Sequence, residues 1–227
     1  MIRIISATRL SAAEFSKQSP LGVSMARLAF DRRIKACVAF ANSAGLPQVF
    51  NSGMDLAGEA EILVFMHDDV WIDDYYLADR LIEGLGRADI LGLAGSKRRL
   101  PGQPSWAFSG FRNGKLVKEM AANMSGLIGH GKEAFGKVSR YGPAPADCEL
   151  LDGVFLAARK STLAKHGIRF DTRFDFHFYD VDFCRQARSK GLRLSTWPIC
   201  MTHRSGGAFS TASWKEGYDR YLAKWPD

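Results

Sequence analysis

The 227-residue sequence lacks any long hydrophobic run. Its most strongly apolar stretch, Ile62-Leu63-Val64-Phe65-Met66, falls far short of the ~20 residues that a membrane-spanning helix needs. The apolar start Met1-Ile2-Arg3-Ile4-Ile5-Ser6 is shorter than the core of a signal peptide and reads as a strand, so a cytoplasmic protein is expected. Cysteine is scarce. Cys37, Cys148, Cys184 and Cys200 form no CxxC pair, which leaves no zinc or dithiol motif and points to buried, reduced thiols. No GxxxxGK[ST] loop occurs, no GxGxxG follows the first strand, and neither GxSxG nor HExxH is present. Those gaps remove the P-loop, dinucleotide-fold, hydrolase-elbow and zincin classes. Internal repeats, low-complexity tracts and linkers are absent too, which favours one domain.

What is present is an ordinary globular composition, 46% hydrophobic and 24% charged. Basic residues number 31 against 24 acidic, a net charge of +7, which attracts polyanions such as nucleic acid, anionic membrane or phosphorylated small molecules. The cations are scattered apart from Arg32-Arg33-Lys35 and Lys97-Arg98-Arg99, whereas a nucleic-acid binder concentrates them.

Periodicity gives an alternating strand and helix order. Strands are expected over Ile2–Ser6, Ile34–Phe40, Glu61–Met66, Ile90–Ala94, Leu151–Ala158 and Leu192–Thr196. Helices are expected around Met25–Phe30, over Ser52–Ala60, over Ile72–Leu85 with Asp73 and Asp74 as N-cap candidates, and over Val181–Lys190 with Gly191 as C-cap. This order predicts a parallel sheet with helices on both faces. Asn113-Gly114 marks a hairpin within Trp106–Met120. The glycine-bearing stretch Ala121–Ala146 (Gly126, Gly129, Gly131 and Gly136) reads as a long loop or mobile lid.

Three clusters bear chemistry. His67-Asp68-Asp69 follows the most apolar strand, where open α/β sheets bind ligands. Its carboxylates and imidazole suit a divalent cation, or alternatively cap the next turn. Asp180 and Asp182 open a helix, so either carboxylate can cap while the other faces a cleft as a general base. His203-Arg204-Ser205-Gly206-Gly207 follows a late strand and suits a phosphate or metal contact.

In this order the clusters resemble the GT-A nucleotide-sugar glycosyltransferases of the large family 2 group, specifically their short bacterial glycosyltransferase-like branch. Val49-Phe50-Asn51-Ser52-Gly53-Met54 is similar to the family's Asn-containing segment before its donor-side helix. Ile62 to Val70 resembles the strand that ends in the DxD motif, and Asp152-Gly153-Val154-Phe155 the acceptor-side strand. Phe174 to Arg185 resembles the segment with the catalytic ED, and Thr202-His203 the late histidine. The likeness covers residues 34 to 207.

The resemblance implies one α/β domain of GT-A, Rossmann-like type over 1–227, with a mixed, mostly parallel sheet flanked by helices. Residues 1–100 would form the donor half and 101–227 the acceptor and catalytic half. It implies Mn²⁺ or Mg²⁺ held by Asp69, His203 and His67, although His67 stands where the family has an acidic residue. Donor contacts fall to Thr8, Arg9, Asn42, Asn51, Asp68, Lys97 and Arg204, and acceptor contacts to Trp106, Asp152, Gly153 and Asp182. Asp180 takes the place of the family's base, with Tyr179 replacing the usual Glu. The implied reaction is inverting transfer from a nucleoside-diphosphate sugar, expected to be a UDP-sugar, to a saccharide, lipid-linked or protein acceptor. Synthesis of bacterial surface polysaccharide or glycoconjugate is the expected setting, in the cytoplasm or at the inner-membrane periphery, with no nucleic-acid partner. The competing readings are an inactive sugar or nucleotide-sugar binding module of the same fold, and a nucleic-acid-binding domain.

Overall fold

The computed structural model describes residues 1–207 and 209–226. Its first half runs β1 (Ile2–Ala7), α1 (Ala12–Gln18), α2 (Pro20–Arg27), β2 (Ile34–Ala39), α3 (Leu46–Asp55), β3 (Ile62–Met66), β4 (Val70–Ile72), α4 (Leu77–Leu85), β5 (Ile90–Gly92) and β6 (Ala94–Ser96). Then come β7 (Phe108–Arg112), β8 (Lys115–Lys118), β9 (Met124–His130), β10 (Lys137–Gly142), β11 (Ala146–Cys148), β12 (Leu150–Leu151) and β13 (Phe155–Arg159). The chain closes with α5 (Lys160–His166), α6 (Tyr179–Ser189), β14 (Leu194–Thr196), β15 (Met201–His203) and α7 (Ala212–Lys224).

All five residues of β3 are buried, because this strand lies inside a seven-stranded sheet of order β11-β14-β5-β13-β3-β1-β2. The pairs β1/β2, β1/β3 and β5/β14 run parallel, whereas β13 runs antiparallel to both β3 and β5. The sheet is therefore mixed, with its parallel part concentrated at β1 to β3. The chain enters β13 at the end where β3 leaves, as the bond from the His67 amide to the Val154 carbonyl shows, so the two strands must oppose. Helices cover both faces. A Cβ on Gly53 of α3 would meet Ile5, and Phe183 of α6 packs on Phe65 in the same face; Gly84 of α4 abuts Leu91 on the other. At Leu93 the chain crosses into a second sheet of order β12-β6-β9-β15-β4, with β10 paired to β9.

Phe50, Phe65, Phe170, Tyr179 and Phe183 form an aromatic cluster between α3, β3 and α6, with Phe170 stacked on Phe183 at 4.3 Å. Fully burying each phenylalanine contributes about 2–3 kcal/mol. The cluster fixes α6 against the strand that carries His67. Helix α7 locks the same helix from outside. Asp182 is fully buried and accepts from Trp225 Nε1 (2.8 Å) and Gln186 Nε2 (2.6 Å), while Lys224 Nζ lies 2.6 Å away.

Several expected elements change place. The first helices begin earlier than Met25, each capped by a serine: Ser11 with Glu14 forms a capping box, and Ser19 precedes Pro20. Helix α3 begins at Leu46, behind Gly45 and with Pro47 in its first turn, so the segment Val49–Met54 lies inside a helix. Asp73 and Asp74 do not cap α4, whose N-cap is Tyr76. Instead Asp73 accepts from Thr202 Oγ1 at 2.6 Å and Asp74 from the Tyr76 amide at 2.9 Å. The C-cap of α6 is Lys190, with Gly191 beyond it at φ 76°.

The largest correction concerns Ala121–Ala146, which holds the antiparallel pair β9 and β10 rather than a loop or lid. Gly126, Gly129 and Gly136 are there for close approach. Gly126 sits at φ 98°, and a Cβ on it would overlap the Leu93 carbonyl of the crossing between sheets. Gly126→Ala is thus expected to lower stability by roughly 2 kcal/mol or more in urea unfolding, from strain plus overlap. A loss below about 0.5 kcal/mol, as in a loop, would contradict this packing.

Candidate active site

The ends of β1, β2 and β3 open on one side of the sheet, and their loops shape a cavity of about 800 Å³. Thr8, Arg9, Asn42, Asp68 and Asp69 line it, joined by Asp175 from the segment before α6. A second cavity of about 410 Å³ adjoins it, walled by Trp106, His130, Tyr141, Asp152, Asp180 and Trp214. His67 and Phe176 border both, and the Phe176 ring stacks on the His67 ring at 5.7 Å.

At the junction, side-chain atoms of His67, Asp69 and His203 all approach within 4.8 Å of one another. Asp69 Oδ1 lies 3.3 Å from His203 Nε2 and 3.9 Å from His67 Nδ1. That oxygen is buried and makes no hydrogen bond. A buried carboxylate oxygen without a hydrogen bond, faced by two imidazoles, is a donor set that could hold a divalent transition metal. Burial opposes ionisation of Asp69, but the His203 imidazole beside it, helped by His67, outweighs burial and holds the carboxyl well below its usual range. His203 is correspondingly raised, since its Asp69 partner more than offsets its burial.

A second carboxylate faces the smaller cavity from the first turn of α6. Asp180 Oδ2 accepts the Gly153 amide at 3.0 Å. Burial, reinforced by the charge of Asp152, raises its pKa to about 6. Tyr179, one residue earlier, donates its hydroxyl to the Gly153 carbonyl (2.8 Å), and that oxygen lies 2.9 Å from His67 Nε2. Gly153 is the only residue type this junction accepts, because a Cβ there would stand 2.6 Å from the Tyr179 hydroxyl. Asp152 holds the turn by accepting the Val154 amide at 3.0 Å.

Four residues named from sequence lie outside both cavities. Asn51 sits in α3 and bonds the Phe170 backbone through both ends of its amide, at 2.8 and 3.0 Å. Lys97 follows β6, and its amide donates to the Asn123 carbonyl. Arg204 has an exposed side chain, and its amide bonds the Asp69 carbonyl at 2.9 Å. Asp182 is sealed beneath α7. Asn42 does reach the larger cavity, but its amide closes a local turn with Ala44 at both ends.

The sequence reading passed over Asp175, Phe176, His130, Tyr141 and Trp214. The aromatic run from Phe174 to Tyr179 was the available signal for Phe176. His130 ends β9 and Tyr141 lies at the bulge of β10, and only the fold brings their Nε2 and hydroxyl oxygen to 3.3 Å on one cavity wall.

With this geometry in hand, likeness to known proteins is informative. The model of a family described as "Glycosyltransferase like family" matches residues 31–211. No curated protein matches the chain in sequence. Among solved structures, GalNAc-T7, crystallised with UDP, GalNAc and Mn²⁺, aligns with TM-score 0.55 at 12% identity over 100% of this chain. The chain spans 49% of that protein's length. The catalytic domain of Drosophila β1,4-galactosyltransferase 7, in complex with xylobiose, aligns with TM-score 0.53 at 10% identity, covering 96% of this chain and 79% of that one. At these identities the likeness establishes a shared fold, that of GT-A domains.

The raised Asp180 yields a stability test. Its folded-state pKa of about 6 exceeds the ordinary 3.8, so ionising it disfavours the native state. Asp180→Asn should therefore stabilise the protein at pH 7–8 by on the order of 1–3 kcal/mol. That advantage should shrink as pH falls through about 6 and vanish near 4. A variant equally or less stable at pH 8 in chemical denaturation would refute the assigned environment.

Proposed function

The chain belongs to the glycosyltransferase-like family, and we propose that it moves a sugar from a nucleoside-diphosphate sugar to an acceptor hydroxyl, with divalent metal and with inversion. One observation carries the reading. A metal-type trio with an unpartnered buried oxygen sits where two cavities meet, and a raised carboxylate faces only the smaller of them. The larger cavity suits a nucleotide sugar, UDP-linked as in the GalNAc-T7 complex, with Thr8, Arg9 and Asn42 at its far wall. The smaller cavity, with Trp106 and Trp214 in its walls, suits a saccharide or saccharide-bearing lipid or protein. Residues 1–100 supply most of the donor side and 101–227 the acceptor side, within one catalytic unit. The setting that follows is cytoplasmic, at or near the inner membrane of a bacterium building surface polysaccharide or glycoconjugate.

His67, Asp69 and His203 would hold Mn²⁺ or Mg²⁺. When bound, the ion supplies positive charge against the departing diphosphate. Asp180, ionised above pH about 6, accepts the proton of the acceptor hydroxyl. The acceptor oxygen then bonds the anomeric carbon from the face opposite the diphosphate. The old carbon–oxygen bond breaks, and its electron pair leaves on the nucleoside diphosphate. One displacement inverts the centre. Gly153 holds Asp180 by its amide, and Phe176 separates the two substrates.

Thermal stabilisation by a panel of nucleotide sugars, with and without Mn²⁺, identifies the donor, since a ligand bound to the native state raises its stability. Asp69→Ala is expected to abolish Mn²⁺-dependent binding of the nucleoside diphosphate while the fold survives. Unchanged binding in calorimetry would sink the metal assignment. Asp180→Asn should keep that affinity and lose roughly 10²–10⁴ in kcat, the usual worth of a general base. In the unaltered enzyme, turnover should fall as pH drops through about 6, because protonation disables the base. Near-normal turnover in Asp180→Asn would remove it from the mechanism. An absence of any turnover in the native protein despite donor binding would favour the binding-module reading, which His67 and Tyr179 at the family's acidic positions support.

A further inference from the structure

We propose that Tyr179 is a positioning residue whose hydroxyl fixes His67 in the tautomer that leaves Nδ1 bare for a metal ion. The inference rests on reading His67, Asp69 and His203 as a cation site.

The argument is one of proton counting. The Gly153 carbonyl has no proton to give, so across 2.8 Å it accepts the single proton of the Tyr179 hydroxyl. The same hydroxyl oxygen lies 2.9 Å from His67 Nε2. With its proton committed, that oxygen can only accept, and Nε2 must carry the hydrogen. A neutral imidazole holds one N–H, so Nδ1 presents a lone pair. Nδ1 is the ring atom that faces Asp69, 3.9 Å from the carboxylate oxygen that lacks a partner. The opposite tautomer would aim an N–H into the cation site and set two lone pairs against each other at Nε2.

The hydroxyl is held where this logic needs it. Tyr179 is 3% exposed, and its ring is packed between Phe50 at 5.8 Å and Phe170 at 6.0 Å. The missing Cβ of Gly153 leaves the only room for the phenol to reach that carbonyl. The Gly153 peptide also donates its amide to Asp180. Tyr179 thus joins a metal-facing histidine to the turn that holds the proposed base.

The test uses the full chain with ¹⁵N-labelled histidine. Long-range ¹H–¹⁵N correlation, with His67 identified by signal loss in His67→Gln, is expected to show the Nε2–H tautomer alone in metal-free protein. Tyr179→Phe should introduce the Nδ1–H form. Titration with Mn²⁺ alone should show about 10- to 100-fold weaker binding in Tyr179→Phe, the usual cost of losing the partner of a ligating histidine. A dominant Nδ1–H tautomer in the native protein overturns the proposal, as does unchanged Mn²⁺ affinity in folded Tyr179→Phe. If Tyr179→Phe does not fold, the native tautomer decides alone. Native protein that binds no Mn²⁺ overturns the cation-site reading itself and this proposal with it, whichever tautomer is seen.

Discussion

The site depends on how closely the peptide of Gly153 approaches the first turn of α6. A single residue without a side chain accepts from Tyr179, donates to Asp180, and leaves no space for even one methyl group between them. It sits where the second sheet hands the chain to β13, opposite the end of β3. Two sheets, a helix terminus and the histidine after β3 therefore meet at one peptide. Without that contact α6 would still pack on the aromatic cluster, but its carboxylate would have no fixed relation to the His67, Asp69 and His203 cluster.

Two carboxylates in this region are driven in opposite directions by different surroundings. Asp69 faces two imidazoles and stays ionised despite burial, whereas burial, with Asp152 nearby, raises Asp180 to about 6. Such divergence separates an electrostatic role from a proton-accepting one. The imidazoles diverge as well. Burial lowers His67, while contact with Asp69 raises His203.

The sequence carried the parts of this arrangement that depend on local pattern. β1, β2, β3, the Asn113-Gly114 hairpin and the body of α6 follow from apolar runs, a turn dipeptide and helical spacing. The His67–Asp69 cluster and Asp180 were legible because each lies at an element end. Where reading failed, the cause is tertiary. Glycines suited to a hinge at Gly126 serve a crossing between sheets, which no local window shows. Asn51 and Asp182 looked like site polar groups, yet long-range partners at Phe170 and Trp225 hold them. The starts of α1, α2 and α3 are set by the caps Ser11 and Ser19 and by Pro47 in the first turn, rather than by apolar period.

Asp182 and Lys224 meet across 42 positions of sequence, the aspartate wholly buried and the lysine half-buried, with Asp171 a further 2.7 Å partner of Lys224. Removing Lys224 leaves the buried Asp182 carboxylate without its cation, a loss of about 3–5 kcal/mol at buried pairs, whereas removing Asp182 leaves Lys224 still paired with Asp171. Variation at these positions is consequently epistatic. The effect of a change at one position then depends on the residue at the other, and a residue far from the chemistry becomes a constraint on how α6, and the carboxylate it carries, can evolve.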